Sequence, residues 1–165
     1  MKKTRTKILA GVVLLAAVLL ITGIAWAKAT KTPIEGHMLV IPGTQPERYW
    51  VDDEGIEHYR GLTADLVFLD GPLEGTGIAV VNLNLDQFGN GDESGALTFE
   101  VTWGELSGTF EGRFSATWTG GVSNSNTVCH GTGGFEGMKM MTHATMPGST
   151  LVSAYEGIML DPHGE

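Results

Sequence analysis

The stretch Gly131-Thr132-Gly133-Gly134-Phe135-Glu136-Gly137 packs four glycines, one aromatic residue and one carboxylate into seven positions. Glycine lets backbone turn sharply or approach other backbone closely, so the stretch reads as a tight crossing point in an all-β fold. The residues after it exclude a phosphate cradle. A P-loop needs Gly-Lys-Ser/Thr ahead of a helix, whereas Gly137 is succeeded by Met138-Lys139-Met140 in a strand-like run. Phe135 is expected to plug the interior of the fold.

Strands flank the stretch on both sides. Downstream, residues 138–146 form one, Pro147-Gly148 turns the chain, and residues 150–160 form a last strand ended by Asp161-Pro162. Upstream, residues 128–130 lead in from a small-polar loop expected at 120–127. Before that loop, Phe110, Phe114, Ala116 and Trp118 alternate with Thr109, Glu111, Arg113, Ser115 and Thr117. Leu97, Phe99, Val101 and Trp103 alternate with Thr98, Glu100 and Thr102 in the same period-two pattern. Two further alternating runs carry Leu62, Ala64, Leu66 and Phe68, then Ala79, Val81, Leu83 and Leu85. Residues 86–95 read as a hairpin loop. A calcium-binding loop is rejected there because Phe88 and Leu97 stand where ligands belong. Asp52-Asp53-Glu54-Gly55 reads as an acidic turn, and no segment shows helical spacing.

About seven long strands after residue 56 predict an all-β fold, an antiparallel barrel of about eight strands. A barrel removes exposed edges without disulfides, and the single cysteine, Cys129, allows no internal one. The barrel domain is expected over 56–165. Residues 28–55 carry three of the six prolines around one short strand-like run, 37–41, and read as an N-terminal arm.

Residues 1–27 read as an export signal. Lys2, Lys3, Arg5 and Lys7 precede an apolar run over 8–27 that ends in Ala25-Trp26-Ala27. Cleavage before Lys28 would release the domain; retention would leave residues 8–27 as a membrane anchor, the chain's one expected contact with a bilayer. Either way the barrel is exported across the cytoplasmic membrane. After Ala27 the chain holds six basic against nineteen acidic residues, a net of −13. Such a surface repels phosphate backbones, so nucleic acid is excluded as a partner.

The run His130-Gly131-Thr132-Gly133-Gly134-Phe135-Glu136-Gly137, with the strands after it and the closing Asp161-Pro162, resembles the C-terminal part of the allene oxide cyclase and dirigent barrels. Those families carry a G-T-G-x-F-x-x-A-x-G element; here Met138 stands at the Ala and Met140 at the final Gly. The resemblance implies eight antiparallel strands around an apolar cavity, binding or steering of hydrophobic small molecules, and possible homo-oligomers. No catalytic carboxylate of those families matches a position here.

Candidate chemistry is sparse. Glu111 and Arg113 share one strand face, with Glu100 able to lie opposite on the preceding strand. Pointing inward they would form a charged, catalytically capable cluster; the opposite face carries more aromatic residues, so they are expected outward. The ligand-lining candidates are Phe99, Trp103, Phe110, Phe114, Trp118, Phe135, Met138 and Met140. Cys129 and His130, as strand neighbours, point to opposite faces and cannot pair. The five histidines show no metal-ligand spacing, so neither metal nor other cofactor is expected. The resulting expectation is non-enzymatic binding of a small hydrophobic molecule in the lumen. The alternatives are a cyclase- or isomerase-type enzyme acting on an apolar substrate, and a solid-cored surface module that binds protein.

Overall fold

The computed structural model describes residues 29–162 and 164. The expected leader, residues 1–27, lies outside them. The described residues form strands and the turns between them, with no helix among them. In order it forms β1 (Thr30–Pro42), β2 (Arg48–Val51), β3 (Glu57–Phe68), β4 (Glu74–Leu85) and β5 (Gly91–Trp103). Then come β6 (Leu106–Thr119), β7 (Val122–Gly133), β8 (Lys139–Pro147) and β9 (Val152–Asp161).

From β3 to β9 every strand pairs antiparallel with the next, the meander that the turn spacing predicts. Closure comes from β1. It pairs with β9 from Thr30 to Leu39 and with β3 from Met38 to Pro42, so eight of the nine strands among the described residues make a ring. The ninth, β2, resumes on the same edge of β3, Arg48 opposite Arg60 and Val51 opposite Glu57. In effect β2 is a continuation of β1 after residues 43–47 loop out of the sheet.

Three expectations about local structure give way here, and the first is the hairpin loop expected over 86–95, whose residues 91–95 open β5. Within residues 28–55, read as an arm, β1 is the strand that closes the barrel. Its prolines misled because proline is tolerated where a strand is paired on one side. From Thr30 to His37 the ladder runs to β9. Residues 120–127, read as a loop, are mostly the first half of β7. Serine and asparagine are poor strand formers in isolation, but here each is held between two neighbouring ladders.

The glycine stretch forms the β7–β8 connection and folds back over one end of the barrel. Gly133 (φ +65°) and Gly137 (φ +81°) take backbone angles that favour glycine. The Gly134 N–H donates to the Ser107 carbonyl at 2.9 Å, tying the loop to the β5–β6 hairpin. At Gly131 a Cβ would collide with the Phe135 carbonyl oxygen. That clearance lets Phe135 enter the barrel and stack on Phe110, ring centroids 4.7 Å apart. Both rings are fully buried, and Leu73, Met159 and Cys129 are enclosed to the same degree. This glycine end of the barrel is solid.

Candidate functional site

Toward the opposite end the inward positions are small. Ala64 faces Ala79 across β3 and β4, and Ser125 faces Ala144 across β7 and β8. With so little side-chain volume the ring does not fill, and a cavity of about 100 Å³ remains inside it.

The cavity has two chemically different walls. On β3, β4 and β5 it is apolar: Leu66, Phe68, Val81, Leu97 and Phe99 stand beside the two alanines. On β7, β8 and β9 it is hydroxylated. Ser123, Ser125 and Thr127 recur at alternate positions along the inward face of β7, joined by Thr142 and Ser153. Ser123, Thr127 and Ser153 are buried residues whose side chains line this wall. The Ser125 hydroxyl donates weakly to the Ala144 carbonyl at 3.4 Å. Tyr155 also lines the space, but its hydroxyl reaches the Asp70 carbonyl at 3.4 Å.

One carboxylate enters. Glu93 lies on the inward face of β5 and lines the cavity, flanked across the ladders by Leu83 and Ala116. The Trp118 indole N–H donates to its Oε2 at 2.8 Å. Burial pushes the Glu93 carboxyl above the ordinary range, and the indole bond offsets part of that. Linkage sets the sign of its effect on stability. A group whose folded pKa exceeds its unfolded value contributes stability that is present below the unfolded value, 4.5 here, and is lost as pH rises through the folded value. Glu93→Gln removes that titration. Urea midpoints of wild type and Glu93→Gln should converge at pH 4 and separate toward pH 7, with the variant higher; parallel curves would contradict the placement of Glu93.

The sequence-derived candidates divide by position. Phe99, Phe114 and Met140 line the cavity. Phe110, Phe135 and Met138 are buried in the core, the first two in the plug, and Trp103 packs partly buried against it. Trp118 is partly buried over Glu93 rather than lining the cavity. Glu100, Glu111 and Arg113 are all exposed on the outer face, so no charged cluster forms inside from them. The residues that give the cavity its polarity, Glu93 and the β7 hydroxyls, are ones the strand patterns passed over.

Elsewhere the titratable groups serve local structure. Cys129 is fully buried, and burial pushes its thiol up to about 12, while His130 next to it faces solvent. Cys129 is therefore expected to resist alkylation by iodoacetamide at pH 8 until urea unfolds the barrel; rapid labelling of the native protein would contradict that burial. The His58 ring bridges Asp52 at 2.9 Å and Asn84 at 2.7 Å on the outer surface, and the hydrogen bond to Asp52 raises its pKa. Among the described residues no three His, Cys, Asp or Glu side chains are grouped to hold a metal ion. No family model matches the chain, and no curated protein matches it.

Proposed function

We propose that this is a binding protein for a small, largely apolar molecule, held without chemical change in the lumen and working outside the cytoplasmic membrane. The observation that carries the reading is the divided cavity of about 100 Å³, with a continuous apolar wall and a few convergent polar groups. Cavities of roughly 150 Å³ accept benzene, so this smaller one admits at most a single compact molecule. Met38, Met140 and Met146 on the lining give it latitude to adapt. The resemblance of residues 130–162 to barrels that bind or steer hydrophobic small molecules points the same way. Delivery by residues 1–27 supplies the location.

The two other readings lose support. A cyclase-type enzyme requires Arg113 and its neighbours to face inward, and Arg113 lies on the outer face. A solid-cored module calls for a filled barrel, and only the glycine end is filled. Native mass spectrometry of the protein isolated from its own host is expected to show a bound small molecule that denaturing conditions release. A bare polypeptide mass under both conditions would count against the proposal.

A further inference from the structure

An inward carboxylate with no countercharge is the feature of this lumen that most needs a partner. Trp118 occupies Oε2 of Glu93, and Oε1 has no partner among the described residues. No lysine, arginine or histidine among the described residues lines the cavity. Across β6 from Glu93, separated by the single small residue Ala116, stands Ser125, with Ser123 and Thr127 either side of it on β7. One indole N–H meets this carboxylate but no cation balances its charge, and an unbalanced charge is costly where it is partly desolvated.

We propose that the occupant is a small organic cation, a protonated amine on a compact apolar skeleton, with its ammonium seated between Glu93 and the β7 hydroxyls. The inference rests on the reading of the cavity as a ligand site and sharpens it to a ligand class. An ammonium group carries three donors and no acceptor, which fits a carboxylate oxygen and hydroxyl oxygens together. The aromatic rings of Phe99 and Phe114 on the same lining add cation–π attraction. A net of −13 after Ala27 draws cations toward the protein and turns anions away. A neutral alcohol could give one hydrogen bond but would leave the charge of Glu93 unbalanced.

The test uses three molecules of nearly one shape: cyclohexylamine, cyclohexanol and methylcyclohexane, titrated at pH 7 against wild type and variants with tryptophan fluorescence as one readout and calorimetry as the other. Wild type should bind the amine about tenfold or more tighter than methylcyclohexane, with cyclohexanol between them. Glu93→Gln should remove that preference and leave methylcyclohexane unchanged. Thr127→Val, which keeps the shape of the side chain, should weaken the amine several-fold and provides a second readout if Glu93→Gln fails to fold. Equal binding of all three, unaffected by Glu93→Gln, would overturn the cation assignment while leaving a lumen site. Tighter binding of the alcohol than of the amine would overturn it in favour of a neutral donor. Binding of none would overturn both the assignment and the lumen site beneath it.

Discussion

Phe135→Ala is expected to destabilise the protein by about 3–5 kcal/mol, the usual range for emptying a buried phenylalanine site. The ring is fully buried and stacked on Phe110 at a centroid distance of 4.7 Å, with the plug closed around it. Relaxation into the hole is restricted by the loop that delivers the ring. Gly133 and Gly137 fix its path, and hydrogen bonds run from Met138 N–H to Phe135 O and from Gly131 N–H to Met138 O, both at 2.9 Å. Small domains are stable by about 5–15 kcal/mol in total, so the variant should be marginal at 37 °C. Urea unfolding monitored by tryptophan fluorescence reads this directly, with a lowered midpoint and an unchanged slope. Phe88→Ala is the control. That ring is 71% exposed, and its loss should change stability by no more than about 0.5 kcal/mol. Similar effects for the two variants would mean that the glycine end is not packed around Phe135.

Ala79→Phe is expected to abolish ligand binding while the barrel still folds. Ala79 faces Ala64 on β3 and Leu97 on β5, and its methyl group lines the cavity. A phenyl ring there points into the one part of the lumen with space to take it. Overpacking of a core typically costs about 1–3 kcal/mol, and the existing void should keep this case toward the low end. The expected result is a native strand signature by circular dichroism, cooperative unfolding, and no saturable binding of any lumen ligand. Retained affinity in a folded Ala79→Phe variant would place the ligand somewhere other than this cavity.

The barrel was legible in the sequence because its strands alternate cleanly wherever the inward residues are large. Phe110, Phe114 and Trp118 on β6, and Leu97, Phe99 and Val101 on β5, announce both the period and the inward face. The plug was legible too, from one phenylalanine set among glycines. What escaped was the cavity, and for a connected reason: a lumen stays empty where inward residues are small or polar, and such residues do not look inward. Ser123, Ser125 and Thr127 sit in register with the buried Cys129, two residues apart along β7, yet their chemistry reads as loop. Glu93 likewise falls on the face of Leu97 and Phe99, and counting back by twos through Gly95 would have found it. Extending the parity of a clear strand segment into its polar half would have recovered both. β1 escaped because closure of a ring is a long-range pairing, between residues 30–42 and the far ends of the domain, which no local pattern encodes.

Methyl-resolved NMR tests most directly whether the lumen, at the end away from the glycine stretch, is a ligand site. Wild type and Ala79→Phe would be followed as cyclohexylamine, cyclohexanol and methylcyclohexane are added in turn. Saturable shifts are expected in wild type, concentrated at the methyl groups of Ala64, Leu66, Val81, Leu97 and Ala144, and none in the variant. Shifts confined to outward methyls such as Ile78 and Val80, or no saturable shift with any of the three, would contradict a lumen site.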